Sequence, residues 1–201
     1  MPELSDEKIM LLVKDGHLSE LTELFDRYHV PLYNFFLRQT FDKMTSEDLT
    51  QNLFYRVIRY RQSYQPGQGT FRSWIYRMAR NIHADFCKQK QKEPQPGRTG
   101  DTGERGEGLE DHPGGHPAGR SSEMGGYGEA DTGGYGEADY QRLDEALALL
   151  QPEQREILVL SRYQGLKYEE ISKIKDLSVA AIKVQVYRAI RQLRSLYFKQ
   201  P

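Results

Sequence analysis

Cations are concentrated in the segment 178–194, SVAAIKVQVYRAIRQLR, in a pattern that suits contact with nucleic-acid phosphates. Apolar residues at helical spacing predict the buried stripe of a helix: Ile182, Val186, Ala189, Ile190 and Leu193. Cations lie off that stripe: Lys183, Arg188, Arg191 and Arg194. The same charges could form only the solvated face of a helix that packs, which is the ordinary case for a basic run.

A short helix and a tight turn precede this basic helix. The residues from Tyr168 to Ile174 predict the short helix, residues 175–177 the turn, and Ser178 an N-cap whose hydroxyl accepts a first-turn N–H bond. The small residues 179–181 leave a slim N-terminal end, which a recognition helix needs in order to enter the major groove. These features together favour DNA contact, and any helix-turn-helix regulator would share them.

The sequence offers little chemistry for catalysis or metal binding. The single cysteine, Cys87, excludes an internal disulfide and a multi-thiolate metal site, and the neighbouring Lys88 is the one feature that could lower its pKa. The five histidines lack partners at a ligand spacing, and the glycines form no phosphate-binding loop. We therefore expect no enzymatic activity, no metal and no cofactor.

Helical periodicity also runs through the first part of the chain. One apolar stripe, interrupted by Pro31, predicts a helix that kinks or restarts there: Leu18, Leu21, Leu24, Phe25, Tyr28, Leu32, Phe35 and Phe36. A second helix is expected from about Ser46, residues 65–70 form a loop, and a third helix follows from Phe71. No sustained alternation of period two indicates strands, so the predicted fold class is all-α.

The charge is distributed unevenly along the 201 residues. The net charge of −1 divides into +3 for residues 1–92, −8 for residues 93–139 and +4 for residues 140–201. The middle stretch consists mainly of Gly, Pro, Asp and Glu, so it cannot bury enough apolar surface to offset the entropy of ordering. We predict two small helical domains, 1–92 and 140–201, joined by a disordered acidic linker, 93–139.

The predicted linker contains a tandem repeat, GGYGEADT followed by GGYGEADY, at residues 125–140. Two octapeptide copies are too short for a solenoid, so a flexible tether that grew by duplication is the simpler interpretation. Alternatively, its carboxylates compete with DNA for the basic ends of the chain. The lone cysteine, the lack of a signal-peptide pattern and the lack of an apolar run of about 18 residues predict a cytoplasmic protein.

Two segments resemble the conserved regions of sigma-70-type transcription initiation factors. LQPEQREILVLSRYQGLKYEEISKIKDLSVAAIKVQVYRAIRQLR, residues 150–194, resembles region 4. SEDLTQNLFYRV, residues 46–57, and FRSWIYRMARN, residues 71–81, resemble region 2 of the small extracytoplasmic-function (ECF) group. The resemblance implies a sigma factor whose partners are core RNA polymerase, promoter DNA and an anti-sigma factor.

The resemblance also implies roles for individual residues. It assigns polymerase binding to Asp48, Leu49 and Gln51. The loop 62–70 would hold a base flipped from the minus-ten element, with strand and phosphate contacts from Arg72, Arg77, Arg80, Asn81 and Lys88. Contact with the minus-thirty-five element falls to Lys183, Gln185, Tyr187, Arg188 and Arg191. Phe71 and Trp74 could stack on bases, although their helical spacing is more typical of core residues.

The sequence departs from the family pattern at two places. Asn52 stands where an acid usually follows the glutamine, which is expected to weaken or retune the polymerase contact. Lys175 and Asp176 replace the usual Leu-Gly of the turn; Asp tolerates a left-handed backbone, and we expect Lys175 to face solvent. The alternative function is a stand-alone helix-turn-helix regulator, and a sigma mimic that sequesters a partner is a third hypothesis. The DLTQ helix argues against the regulator and the retained cations against the mimic.

Overall fold

The computed structural model describes residues 4–92 and 137–199, and these residues form helices and turns without strands. The helices are α1 (Asp6–Lys14), α2 (Leu21–Thr40), α3 (Lys43–Arg59), α4 (Phe71–Lys92), α5 (Glu137–Ala148), α6 (Pro152–Leu158), α7 (Tyr168–Lys175) and α8 (Val179–Tyr197). Short 3₁₀ turns occupy Leu18–Glu20 and Arg61–Ser63, and a π-helical turn, Val159–Tyr163, follows α6. The predicted all-α fold is confirmed.

Helix α2 continues through Pro31 instead of restarting there. A proline in a helix interior removes one backbone hydrogen bond, to the carbonyl four residues earlier. Large side chains on both sides of Pro31 are buried in the core, among them Leu24, Leu32 and Phe36, each fully inaccessible to solvent. Burial of this stripe offsets the lost bond, because apolar burial contributes about 1.5–3 kcal/mol for each large side chain.

Helix α3 begins at Lys43, three residues before the predicted start. Asp42 is its N-cap: the Asp42 carboxylate accepts a 2.7 Å bond from the Thr45 backbone N–H. Ser46, the expected first residue, is instead fully buried, and its hydroxyl donates to the Asp42 carbonyl. The acid-rich SED sequence therefore lies in the second turn and not at the helix end.

Four residues of the second half lie at helix ends or turns, as the sequence predicts for them. Pro152 opens α6, and Gly165 ends the following π-helical turn with a φ of 61°. Asp176 takes the left-handed conformation, φ 54°, in the turn between α7 and α8. The Ser178 hydroxyl accepts a 3.2 Å bond from the Ala181 N–H and so caps α8.

One predicted boundary and one predicted buried residue differ from the structure. Helix α5 begins at Glu137, so the last three residues assigned to the linker are helical. Ile190, assigned to the buried stripe of α8, is 38% exposed and lines an open apolar groove between α5 and α8 together with Leu143, Leu193 and Phe198. The rest of the predicted linker, with most of its tandem repeat, lies outside the described residues.

The two halves pack into one continuous hydrophobic core, which joins Phe35, Phe71 and Ile75 of the first half to Ile157 and Ile171 of the second. We call their contact the seam: α2 and α4 lie on one side, and α5, α6, the π-helical turn and α7 lie on the other. Within residues 4–92 and 137–199, none of the helices is long and apolar enough to cross a membrane.

Candidate nucleic-acid interface

Helix α8 presents its cations to solvent. Among the five residues predicted to face the minus-thirty-five element, Gln185 is half-buried and the other four are exposed: Lys183, Tyr187, Arg188 and Arg191. None of these three cations forms an ion pair with another residue of the described ranges. Buried Ile182 and Val186 anchor the opposite side of the helix. The geometry is that of a helix whose free face is available to a DNA groove.

Val184 is a residue of this face that the sequence reasoning missed. It lies beside Lys183 and is 48% exposed, although a β-branched apolar side chain is usually buried. An exposed apolar group on a recognition helix can contact the methyl group of thymine. The signal was present in the sequence as an apolar residue that falls outside the stripe of Ile182 and Val186.

The turn before α8 departs from the expectation for Lys175. Its side chain is only 6% exposed, and its ammonium group pairs with the Glu156 carboxylate of α6 instead of facing solvent. Burial of the long aliphatic stem and a charged partner within reach explain the inward position. Asp176 supplies the left-handed residue that the tight turn needs. Lys175 connects the turn to α6 through Glu156.

Three of the arginines predicted to contact the minus-ten strand lie in the seam. The Arg72 guanidinium donates to the Gln164 carbonyl, and the Arg77 guanidinium donates to the Lys173 carbonyl. The Arg80 Nε lies 3.1 Å from Oε1 of Glu156. Asn81 and Lys88, by contrast, are exposed on the remainder of α4. The predicted strand-binding face is therefore partly covered by the second half of the chain.

The loop predicted to hold a flipped base is also adjacent to the second half. Its cavity has about 40 Å³ of free volume, enough for only a few water molecules, and is lined by Tyr64, Thr70, Trp74 and Arg77 among others. The Thr70 hydroxyl donates to Glu170 of α7 at 3.3 Å. Phe71 is fully buried, so it belongs to the core as its spacing indicates, whereas Trp74 is half-buried and lines the cavity.

Further polar contacts hold the seam, and sequence reasoning found none of them. The Arg155 guanidinium donates to the Gln39 carbonyl of α2 at 3.0 Å and to the carbonyls that end α5. The Arg38 guanidinium lies 4.1 Å from the ring centroid of Tyr163, within the range of a cation–π contact. The pairs that cross the seam, Arg155 with Gln39 and Arg38 with Tyr163, are separated by more than 100 residues, so no local pattern could reveal them.

Cys87 and His83 lie one helical turn apart on α4, with Sγ 3.6 Å from Nε2. Burial raises the pKa of the Cys87 thiol, with Arg155 and Lys90 opposing the shift. Burial lowers the pKa of His83, with Glu156 opposing the shift. The Cys87 thiol is therefore not activated by the lysine next to it in sequence, and within the described residues no group of three or more His, Cys, Asp or Glu could hold a metal ion.

Helix α3 presents part of the predicted polymerase face. Asp48 and Gln51 are exposed, whereas Leu49 is only 7% exposed and packs in the core. Two exposed residues at helical spacing extend the face and were not predicted: Met44 is 72% exposed and Tyr55 is 61% exposed. Methionine and aromatic residues are enriched at protein–protein interfaces, so exposed residues of these two types suit a protein-binding surface.

Asn52 lies beside this face, and its side-chain oxygen accepts a 3.0 Å bond from Arg56 Nε. Arg56 also reaches Asp85 of α4 at 3.4 Å. An acid at position 52 would pair with the same arginine more strongly, so the amide leaves the charge of Arg56 less fully compensated. The departure at Asn52 therefore changes the electrostatics at the edge of the α3 face.

The fold and these surfaces define an all-helical DNA-binding protein with a helix-turn-helix in its second half. The chain matches the sequence models "Sigma-70 region 2" over residues 24–93 and "Sigma-70, region 4" over residues 140–193, which together span more than half of its length. The chain belongs to the sigma-70 family and is a sigma factor of the ECF group.

Individual relatives agree with this assignment. The chain is similar to the RNA polymerase sigma factor CarQ of Myxococcus xanthus, with 27% identity over 183 residues that cover 91% of this chain and 92% of CarQ. It is also similar to the ECF RNA polymerase sigma factor SigE of Mycolicibacterium smegmatis, with 31% identity over 88% of this chain. The aligned region spans only 61% of the length of SigE.

Solved structures share the fold. CnrH, solved in complex with the cytosolic domain of CnrY, superposes with a TM-score of 0.66 at 16% identity, covering 98% of this chain and 99% of CnrH. RpoE of Bartonella quintana, solved with the anti-sigma factor NepR, superposes with a TM-score of 0.63 at 21% identity, covering 90% of this chain and 99% of RpoE. The chain therefore shares its helical arrangement with these two solved structures.

Proposed function

We propose that the chain binds core RNA polymerase, directs it to promoters and helps to melt the minus-ten region without nucleotide hydrolysis. The observation that carries the proposal is the pairing, in order along one chain, of a region 2 match at 24–93 with a region 4 match at 140–193. A stand-alone helix-turn-helix regulator has no need of the first. Family members are initiation factors and not enzymes, so we assign the chain no catalytic reaction and no cofactor.

We assign each proposed contact to a helix according to the surface that it exposes. Asp48 and Gln51 contact polymerase, with Leu49 holding α3 in place from the core. Four exposed residues of α8 and the half-buried Gln185 contact the minus-thirty-five element: Lys183, Gln185, Tyr187, Arg188 and Arg191. Side chains of α4 contact the minus-ten strand once they are accessible: Arg72, Arg77, Arg80, Asn81 and Lys88. Because the polymerase is cytoplasmic, we place the chain in the cytoplasm.

An anti-sigma factor is the proposed regulatory partner. Two structural neighbours, CnrH and RpoE of Bartonella quintana, were solved with CnrY and with the anti-sigma factor NepR. Such a partner, membrane-bound or free, would control when this chain reaches polymerase. A pull-down from the native cell, followed by identification of the retained proteins, tests this. Recovery of polymerase subunits without any further protein would argue against a dedicated anti-sigma factor.

Reconstituted transcription tests the function itself. Purified full-length chain is added to core RNA polymerase with a library of genomic fragments, and transcripts are mapped at their start sites. We expect initiation at a set of sites that share upstream and minus-ten elements and that core polymerase alone does not use. Absence of binding to core polymerase at low salt would overturn the proposal and favour the stand-alone regulator.

A further inference from the structure

Helix α1 contacts the start of the loop 62–70, to which the family resemblance assigns a flipped base. The ammonium group of Lys14, the last residue of α1, donates a 2.8 Å hydrogen bond to the Tyr64 carbonyl. In return, Gln62 Nε2 donates a 2.7 Å bond to the Lys14 carbonyl. The ammonium bond is charge-assisted and partly buried, so it is stronger than a bond between neutral groups. These two bonds fix the backbone where the loop begins.

The other end of the same helix contacts the end of the loop. A carboxylate oxygen of Glu7, in the first turn of α1, accepts a 3.0 Å bond from the backbone N–H of Phe71. Phe71 is the first residue of α4, and the N–H groups of a first helical turn have no partner within the helix. Glu7 satisfies one of them and places a negative charge where the helix dipole favours it. The loop is therefore bonded to α1 on both sides.

Helix α1 also sets the separation between these two anchors. Glu7 and Lys14 are seven residues apart in the sequence, which corresponds to about 10 Å along a helix. Three side chains between them are buried in the core and at most 1% exposed: Ile9, Met10 and Val13. The helix is thus fixed against the rest of the first half, and the two anchors are held at a constant distance.

The loop between the anchors has weak restraints of its own. Residues 65–68 are exposed, and a 3.3 Å backbone bond from the Gln68 N–H to the Gln65 carbonyl closes a turn among them. Gly67 has a φ of 123°, a conformation that suits glycine, and glycine loses more conformational freedom on ordering than any other residue. The shape of such a loop depends on how firmly its ends are held.

We propose that Glu7 and Lys14 are positioning residues for base recognition, because they hold the loop in the shape that distinguishes one base of the minus-ten strand from the others. This rests on the proposed function, since it takes the loop 62–70 as the base-holding loop. A binding site must hold its groups within about 0.5 Å of the productive geometry. Loss of either anchor therefore reduces the preference among bases, while the α3 and α8 surfaces stay unchanged.

The test compares Lys14→Met with Lys8→Met in the full-length chain. Methionine keeps an unbranched apolar side chain and removes the ammonium group that donates to Tyr64. Lys8 is an exposed lysine of the same helix, so both variants lose one positive charge and any general loss of DNA attraction is equal. Lys14→Arg is the conservative variant, because it keeps a cationic donor at this position.

Each variant is combined with core polymerase on a promoter selected by the wild-type holoenzyme. Each minus-ten position is varied through all four bases in turn, and open complex is measured by the permanganate reactivity of unpaired thymines elsewhere in the bubble. The quantity compared is the preference ratio, the yield of open complex with the preferred base divided by the mean yield with the other three. Affinity for core polymerase and for the upstream duplex is measured alongside.

We expect Lys14→Met to lower the preference ratio about ten-fold at one minus-ten position, the size expected for loss of a charge-assisted hydrogen bond. Lys8→Met should keep the ratio, and Lys14→Arg should restore most of it. Backbone amides of residues 65–70 should also exchange hydrogen faster in Lys14→Met than in Lys8→Met. Affinity for polymerase and for the upstream duplex should be equal in these two variants.

Four outcomes would overturn the proposal. An unchanged ratio in Lys14→Met would show that the anchor does not act on base choice. A fall of equal size for all four bases would mean that the bond only stabilises the chain, and an equal fall in Lys8→Met would mean that only charge matters. No recovery in Lys14→Arg would attribute the effect to packing and not to the donated bond.

Glu7→Ala provides a second route at the other end of the loop. It removes the acceptor of the Phe71 N–H, whereas Glu7→Gln keeps an acceptor oxygen on a side chain of the same length. The preference ratio should fall in Glu7→Ala and be retained in Glu7→Gln, and an equal ratio in both would contradict the positioning role. If Lys14→Met does not fold, as judged by circular dichroism, this pair decides the outcome alone.

The same experiment separates the two proposals. A wild-type chain that initiates at promoters and prefers one minus-ten base, while every folded variant keeps that preference, contradicts only the positioning role of α1. A wild-type chain that never binds core polymerase contradicts the proposed function.

Discussion

The phenolic hydroxyl of Tyr76 donates a 2.6 Å hydrogen bond to Oε1 of Gln164, and the two side chains belong to opposite halves of the chain. Tyr76 is 1% exposed and Gln164 is 8% exposed, so neither has water as an alternative partner. Burial raises the pKa of the Tyr76 hydroxyl above its ordinary value. The bond is therefore present throughout the physiological pH range, and it connects α4 to the end of the π-helical turn.

Substitution of Tyr76 by Phe is expected to destabilise the chain. The change leaves the buried amide oxygen of Gln164 without its donor, which costs about 1–3 kcal/mol. Urea unfolding of the full-length chain measures the difference. Tyr64→Phe is the matched control, because the buried Tyr64 hydroxyl has no partner within the described residues and its removal should cause no loss. Equal destabilisation by both variants would show that the Tyr76–Gln164 bond contributes nothing.

Acidification should destabilise the chain through His83. Burial lowers its folded-state pKa below 6.5, so below about pH 6.5 the unfolded chain binds more protons at this site than the folded chain. The stabilisation is therefore complete above the unfolded-state pKa and is lost as pH falls through the folded-state pKa. Urea midpoints at about pH 7.5 and 5.5 should differ more for wild type than for His83→Gln. Identical differences would mean that protonation of His83 is not coupled to folding.

The helices could be predicted from the sequence because their determinants are local. Apolar spacing locates α4, Pro152 opens α6 and Ser178 caps α8, and each signal lies within a few residues of its effect. Of the two outcomes predicted at Pro31, a kink or a restart, the restart does not occur. Continuity of the helix depends on how deeply the surrounding α2 stripe is buried, which only the tertiary structure sets. Local rules fail where packing outweighs them.

The seam could not be predicted in the same way. Lys175 was expected in solvent because a lysine in a turn usually is, yet Glu156, 19 residues earlier, holds its ammonium group inside. Similarly, the family resemblance that assigns Arg72 and Arg77 to DNA carries no information on the backbone carbonyls to which they donate across the seam. Residue type identifies the chemistry of these side chains, and the partner depends on the conformation.

Loss of the N-cap of α8 should weaken upstream DNA binding. Ser178→Ala removes the 3.2 Å bond from the Ala181 N–H, which costs about 1 kcal/mol of helix stability and frays the helix end that we propose enters the groove. Ser195→Ala, at an exposed position near the other end of α8, is the control. Binding is measured on duplex DNA carrying an upstream element selected by the wild-type holoenzyme. A reduction of equal size in Ser195→Ala would exclude an effect specific to the cap.

Removal of two exposed cations from α8 should weaken promoter binding but not polymerase binding. Lys183→Ala with Arg188→Ala takes away two groups placed to reach phosphates or bases, so the slope of log affinity against log salt should fall by roughly two. Arg162→Ala with Lys199→Ala is the control, because it removes the same charge from exposed positions outside the proposed DNA-contacting side of α8. If Lys183→Ala with Arg188→Ala also abolished polymerase binding, α8 would have a structural role and not a role in promoter recognition.

Substitution of the exposed residues of α3 should weaken polymerase binding, whereas substitution of the buried residue should reduce stability. Asp48→Ala with Gln51→Ala removes groups that contact solvent in the free chain, so affinity for core polymerase should fall while the urea midpoint stays unchanged. Leu49→Ala should instead destabilise the chain by about 2–5 kcal/mol, because it creates a cavity beneath the helix. Gel filtration of the chain with core polymerase, alongside urea unfolding, distinguishes the two effects.

Glu47→Ala is the control for the α3 face, since Glu47 is an exposed acid directly beside Asp48 in the sequence, on the same helix. Neighbouring residues on a helix point about 100° apart, so Glu47 projects away from the line through Asp48 and Tyr55. Binding should therefore be retained in Glu47→Ala and lost in the Asp48 and Gln51 pair. Loss of binding in both variants would mean that the overall negative charge of this helix attracts polymerase, and that the α3 face is not a specific contact surface.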